Sequence, residues 1–568
     1  MKKNAFALSI SMALAAMGFV GGASADVITA ATGVNTSAAL LAAPNAVNLF
    51  PNGDGVGHIL VVPYFTSQNN QSSLISIVNT SDTQGKAVKV RYRGASNSDD
   101  IFDFTLFLSP NDVWTGNVSK GADGRSVMTT TDKSCTLPAN INGAFVTTRL
   151  PSYLTADQKA DETREGYVEI LNMADIPPGR YTAAQTGLLP ATGNPLFAAI
   201  DHVAGVPSCD TATLNLLNTD PIVHNDDDSR ADNAARQGLA LPTGGLFSSW
   251  VIVNFASGVS YTGGAASIGA YNSLVVDNPT AAANLVFHPQ RGVALTTGSA
   301  ANARTADPLL AGGFLAIDST GTPTGAAVAA QVTPLLFDFP DLSTPYLVGG
   351  TPTTQAVALT TAFAVASVNN EFVTDPTINA TTDWVFASPT RRYSVALDYD
   401  SADKTDDVRV FSDLGGTDET FFHTGNSLLN TSRAISQICV DVAEPVYYDR
   451  EERESVSTDF VISPGIPSNL EFCGEVSVLK FSDAGGTSTL GAVNTIVDLD
   501  IGTFVDGWLR IGTPGNTNRI GGGADLFDNG LPILGSAFVS AKAPNVREGV
   551  EGTFGLTYPH RFTRPFND

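Results

Sequence analysis

Residues 87–95 read AVKVRYRGA, and residues 101–109 read IFDFTLFLS. In the first run Lys89, Arg91 and Arg93 hold every second position, and Val88, Val90 and Tyr92 hold the positions between. A period of two puts these sets on opposite faces of a strand. The pattern predicts a half-buried antiparallel strand, apolar face inward and basic face outward. The reading extends in both directions. HILVVPYFTS (58–67) and SSLISIVNTS (72–81) precede it, and DVWTGNVS (112–119), SVMTTT (126–131) and AFVTTRL (144–150) follow. Asn79-Thr80-Ser81-Asp82 and Gly94-Ala95-Ser96-Asn97 supply turns, because Asn and Ser side chains bond nearby backbone and Gly relaxes the backbone limits.

TADQKADETRE (155–165) predicts one short helix, and GYVEILNMAD (166–175) and SSWVIVNFAS (248–257) return to strand. Strands resume in TDWVFASPTRRYSVALDYD (382–400), turning near Pro389, and in CVDVAEPVYYD, GEVSVLKF, GWLRIG, AFVSAK and GTFGLTYP between 439 and 559. FSDLGGT (411–417) recurs as FSDAGGT (481–487), an aromatic strand end followed by a glycine turn. The expected class is mainly β, a multi-domain antiparallel β-sandwich architecture with minor short helices. The divisions are an N-terminal arm at 26–57, a first sandwich at 58–240, an Ala/Thr/Gly-rich linking or inserted β region at 241–380, and a second sandwich at 381–568. A propeller would show a regular blade period, and an outer-membrane barrel would show sustained lipid-facing alternation with aromatic girdles. Neither pattern is present.

Composition supports sheet over helix. Of 568 residues, Gly and Pro supply 53 and 31, and Asp outnumbers Glu by 43 to 13. Asp favours turns and caps, whereas helix surfaces favour Glu. The net charge of -25 would be repelled by a nucleic-acid backbone, so no nucleic-acid partner is expected. Residues 1–25 carry Lys2 and Lys3, an apolar run and Ala23-Ser24-Ala25, the signature of a cleaved secretory signal. That leader implies the cell surface or extracellular space, with the periplasm as the alternative. No later apolar run is long enough for a membrane helix, so no span is expected in the mature chain. An exported chain with Cys135, Cys209, Cys439 and Cys473 suggests two disulfides, and we favour sequence-neighbour pairing among the three combinations.

Chemical motifs are sparse. HExxH, G-x-S-x-G and the phosphate-binding G-x-x-x-x-G-K-[ST] are missing from the sequence. Gly53-Asp54-Gly55-Val56-Gly57 precedes a strand instead of joining strand to helix, so no cofactor-binding residues are assigned. No catalytic residue is assigned either. His202 beside Asp201, and His224 near Asp226, are the only histidines whose neighbours suggest a base, and packing is the plainer role for each. Two acidic groups have the residue type that hard calcium prefers: Asp398, Asp400, Asp403, Asp406 and Asp407, and Asp226 with Asp228. No cofactor is required, and structural Ca²⁺ is the ion these groups would take; solvated acidic loops are the plainer reading. Trp114, Trp250, Trp384 and Trp508 could stack on sugar rings, with core packing as their ordinary role.

VNTSDTQGKAVKVRYRGASNSDDIFDFTLFLSPNDVWTG (78–116), TDWVFASPTRRYSV (382–395), and the terminal GLPILGSAF and GLTYPHRF resemble large exported proteins of Gram-negative bacteria described as hypothetical or cell-surface proteins. The resemblance implies an exported surface role and brings no catalytic signature. The leading expectation is a secreted, non-enzymatic surface, matrix or filament component. Its partners would be copies of itself or other cell-surface proteins, and the 26–57 arm could exchange strands. A carbohydrate- or ligand-binding surface protein, with a glycan partner, is the first alternative. A secreted glycoside hydrolase is the enzyme alternative.

Overall fold

The computed structural model describes residues 46–178, 193–218, 237–271, 315–325, 352–399, 403–412, 421–443, 445–454, 470–482, 488–501, 504–513, 530–547 and 550–564, with a few single positions between them. The leader, residues 26–45 of the arm and most of 272–314 lie outside this set. Strand dominates, at 51% against 11% helix, so sheets carry the architecture. Thirteen strands build the first unit: β1 Asn48–Pro51, β2 Ile59–Thr66, β3 Gln71–Asn79, β4 Gly85–Gly94, β5 Asp100–Leu108, β6 Val113–Lys120, β7 Ser126–Thr129, β8 Cys135–Leu137, β9 Gly143–Ala144, β10 Glu165–Ile176, β11 Leu246–Asn254, β12 Val259–Gly264 and β13 Ala266–Tyr271.

They form two sheets, ordered β1-β13-β2-β10-β4-β5-β8 and β12-β11-β3-β6-β7-β9. Among the described residues neither closes into a barrel, and each ends in two outer strands. β1 comes from the N-terminal arm and is already paired with β13, Asn48 opposite Tyr271. Strands β11 to β13, from the segment expected to link two domains, complete both sheets. The expected helix forms at Ala156–Glu162, where Thr155 and Gln158 cap each other's backbone. Asn79 makes the expected turn, its Oδ1 accepting from Ser81 N at 3.1 Å.

The later strands form further sheets. A five-stranded one runs in the order Thr495–Asp500, Val476–Ser482, Thr381–Ala387, Leu534–Arg547, Val550–Pro559. A four-stranded one runs Val446–Asp449, Asp506–Gly512, Ser367–Val373, Arg561–Thr563. Pairing is antiparallel except between Val476–Ser482 and Thr495–Asp500. The two FSD turns lie mostly outside the described residues, but Phe411 and Phe481 share one apolar cluster. Both disulfides follow sequence-neighbour pairing, Cys135 to Cys209 and Cys439 to Cys473.

One expectation needs correcting. β4 is not half-exposed; all ten of its residues are buried. Val88, Val90 and Tyr92 enter the core between the two sheets, as expected. The basic face is covered as well, at its Ala87 end by Leu196, Ile200, Leu214 and Leu239 and beyond Arg93 by the second half of the chain. Lys89 Nζ lies 2.8 Å from Asp103, Arg91 3.3 Å from Asp100 and 3.6 Å from Glu169, and Arg93 3.3 Å from Glu169. Lys86, at the end of the strand, lies 2.8 Å from Asp175. Period-two alternation distinguishes faces but does not say that the polar face is wet. Here neighbouring strands β5 and β10 supply a carboxylate for each cation, and burial becomes tolerable.

The cover is held by specific bonds. Arg392 Nη1 donates to Asn97 O at 2.8 Å, and Asn97 Nδ2 donates to Ser436 O at 2.7 Å. Glu475 pairs with Arg391 at 3.3 Å, and its backbone N–H donates to Ala95 O at 2.8 Å. Glu165 Oε1 accepts from the backbone of Val493 and Asn494, each at 2.8 Å, and its Oε2 accepts from Tyr64 Oη at 2.9 Å. Around these polar contacts lies apolar material from both halves: Tyr64, Trp250 and Tyr261 surround Phe538 at ring distances of 6.1, 5.8 and 5.3 Å. One core cluster therefore spans both halves.

Arg91→Ala would remove one of the two cations beside each of two buried carboxylates, leaving Asp100 only Arg149 at 3.5 Å and Glu169 only Arg93 at 3.3 Å. The expected loss in urea unfolding is roughly 3–5 kcal/mol. Arg125→Ala, which breaks a pair with Asp123 at the surface, is expected to cost less than about 1 kcal/mol. Equal losses from the two would contradict the buried-lattice account.

Asp383 gives a pH test. Burial pushes its carboxyl up from 3.8 to about 6, against hydrogen bonds from Ser488 and Leu490 that favour the charged form. In the unfolded chain the group ionises first, so its contribution to stability is complete below about pH 4 and is lost as pH rises through about 6. A shift of about two units is on the order of 3 kcal/mol. Asp383→Asn should therefore improve thermal stability relative to the native chain more at pH 8 than at pH 4.5. A mutant-to-native difference in melting temperature that is the same at both pH values would refute this.

Candidate interaction face

The six-stranded sheet buries one face and opens the other. Ile75, Ile77, Trp114, Met128, Trp250 and Ile252 point into the core. The two indoles are seated over glycines: a Cβ on Gly116 would meet the Trp114 ring at 2.3 Å, and one on Gly263 would meet Trp250 at 2.4 Å. Strand register then fixes the rows of the outer face. Phe247, Val78 and Val113 form one row, and Ser249, Ser76 and Thr115 form the next. Thr262, Val251, Leu74, Asn117 and Thr129 form a third across five strands. None of these residues is charged. Leu74 and Val113 are 40% and 47% exposed. An open groove of about 490 Å³ runs over the Leu74, Thr115, Asn117 and Thr129 positions and continues to Thr130 and Thr131. Hydroxyl and amide groups along it can donate or accept hydrogen bonds, and the aliphatic side chains offer apolar area between them.

His202 meets partners that the sequence did not reveal. Its Nδ1 lies 3.0 Å from Ser109 Oγ and 3.7 Å from Asp112 Oδ2. This is not the geometry of a nucleophilic triad, in which serine and carboxylate engage opposite ring nitrogens. Serine and aspartate here compete for the same one. Asp112 also accepts from the backbone of Ser109 and Val113 and from Ser134 Oγ, the pattern of a turn-capping carboxylate. Burial pushes its carboxyl above the ordinary range, and His202 draws it back. His58 Nδ1 accepts from Ala270 N at 3.1 Å inside the first unit. His560 bonds Val385 O and Asn370 Nδ2, and burial pulls its imidazole down to about 3. His224 lies outside the described residues.

Of the aspartates expected to attract calcium, Asp398, Asp403, Asp406 and Asp407 are among the described residues. Asp403 Oδ1 accepts from Thr405 N and Thr405 Oγ1, both at 3.0 Å, and so starts the turn Lys404–Asp406. Asp407 is buried and accepts from Tyr153 Oη at 2.6 Å. Asp398 ends a strand opposite Val408. Asp400, Asp226 and Asp228 lie outside the described residues. Among the described residues, the group of three potential ligand atoms that falls within 4.8 Å is Cys439, Glu471 and Cys473, and its two sulfurs are bonded to each other. A disulfide sulfur is not a thiolate ligand.

Of the four tryptophans, Trp114, Trp250 and Trp384 are core residues, and Trp508 is 40% exposed. Sequence could not separate them, because each stands in an alternating strand. Among the described residues no helix is long and apolar enough to cross a membrane. Compared with known proteins, the chain matches no family model, no curated protein and no solved structure.

Proposed function

We propose that this chain is an exported, non-catalytic structural protein of the cell surface or extracellular matrix, and that it associates with copies of itself through the uncharged face of the six-stranded sheet. The observation that carries the reading is that face: three registered rows without a charge, on a chain with net charge -25. Copies of so acidic a chain repel one another over most orientations. Approach costs least where no charge is presented, and there exposed Leu74 and Val113, with half-buried Val251, offer apolar area to bury. Two-fold pairing would bring the face against itself, the usual arrangement of homodimers. Two disulfides support an oxidising compartment, in keeping with the leader at 1–25 and with the resemblance to exported surface proteins. The alternative of a hydrolase has less support, since His202 and Ser109 lack triad geometry.

The test is sedimentation of the mature protein across a concentration series, with electron microscopy of the same material. Self-association is expected, and it should persist in salt because the face is uncharged. Thr115→Glu combined with Ser249→Glu places like charges in one row of the face, and the double variant is expected to remain monomeric. A native chain that stays monomeric, or a double variant that assembles like the native chain, would remove the face from the account.

A further inference from the structure

A second sheet face has a different chemistry. In the four-stranded sheet, Leu509, Ile511, Val368 and Phe372 point into the core. The opposite side carries two registered rows. Tyr448, Trp508 and Glu371 lie side by side across three strands, and Arg510, Asn369 and Arg561 lie side by side in the next row. The Tyr448 and Trp508 rings are stacked, with centroids 4.8 Å apart and planes 16° from parallel. The close approach of the Val446–Asp449 strand depends on Gly507: a Cβ there would meet Tyr448 O at 2.0 Å and the Phe372 ring at 3.0 Å. Trp508, Glu371, Arg510 and Arg561 are all exposed. Among the described residues, no ion pair or hydrogen bond is made by the side chains of Glu371, Arg510 or Arg561, although Trp384 and Asn370 bond the backbone of Glu371 and Asn369 that of Arg561.

The geometry points to a binding platform for an acidic saccharide, a chain of sugars that includes uronic acid units. This goes beyond self-association and uses a different sheet. Each part of the platform answers a part of such a ligand. A held, exposed indole offers a face for the C–H side of a pyranose ring, and Tyr448 buttresses it from the other side. Glu371 and Asn369 can bond sugar hydroxyls. Arg510 and Arg561 flank Asn369 from the two neighbouring strands, roughly 10 Å apart at the backbone. Guanidinium groups bind carboxylates through paired N–H donors, the fit a uronate requires. Charge selects the occupant. Arg510 and Arg561, whose side chains have no acid partner among the described residues, stand in the row next to the exposed indole, while Glu371 and Glu454 stand in the indole's own row. An anionic sugar gains from both cations, and a neutral sugar gains from neither.

Titration calorimetry on the mature protein tests this with a galacturonic acid hexamer, a neutral glucose hexamer and a glutamate hexamer as probes. The uronate is expected to bind, more weakly as salt rises, and to protect Trp508 from acrylamide quenching; the other three indoles are buried and quench little. Trp508→Ala should weaken uronate binding about ten-fold or more, with Trp508→Phe retaining part of it. Arg510→Gln with Arg561→Gln, at exposed positions, should weaken uronate binding about ten-fold or more and flatten its salt dependence. Failure of the uronate to bind, equal binding of the neutral hexamer, equal binding of the glutamate hexamer, or native affinity in Trp508→Ala would each overturn the proposal. None of these results bears on assembly through the other sheet, so the two readings fail separately.

Discussion

The row of cations on β4 constrains the whole molecule. A strand whose outward face carries Lys89, Arg91 and Arg93 can be buried on both sides only if each cation meets an acid at the right register. Asp103 and Asp100 on β5, and Glu169 on β10, provide that match. A slip of one residue would turn these cations toward Val62 and Phe104 in the apolar core. Buried ion pairs contribute little net stability against well-packed apolar groups, but a broken one is costly. Their role here is alignment: they fix the order β10-β4-β5 and the surface onto which the second half of the chain closes. Stabilisation comes from the apolar cluster shared by the halves, around Tyr64, Trp250, Tyr261 and Phe538.

Closure explains why carboxyls near the seam share one direction of shift. Glu165, Glu475 and Asp99 are all pushed upward by burial, Asp99 to about 6 despite Arg392 beside it. These groups link the halves through backbone N–H donors and guanidinium groups, so the seam is a polar layer set inside apolar packing. A layer of this kind needs a full set of partners, and the chain supplies them from segments more than three hundred residues apart, as between Glu165 and Asn494.

Much of this was legible from the sequence, and the limits have physical causes. Alternation identified the strands because side-chain direction has period two, and spacing and compartment favoured the disulfide pairs that form. The polar run at 155–165 marked its one short helix, though not the Thr155 cap that starts it. What failed was the inference from polar to exposed. Arg91 and Arg510 look alike in sequence, each alternating with apolar neighbours, yet one is buried in a carboxylate lattice and the other lies open beside Trp508. The difference lies in what packs over the sheet, which no local pattern encodes. The uncharged rows of the six-stranded sheet were hidden for a related reason: Ser249, Ser76 and Thr115 become neighbours only once register is known. His202 and Ser109 are likewise brought together by the fold, and the shared ring nitrogen argues for a turn, not for chemistry.

The central claim is that the first unit and the sheets that cover its basic face fold as one body. Differential scanning calorimetry of the mature chain at neutral pH addresses it most directly. A single transition is expected, with the van't Hoff and calorimetric enthalpies in a ratio of about one. Two resolved transitions, with Arg91→Ala moving only the one that belongs to the first unit, would show that the halves are independent and contradict the account.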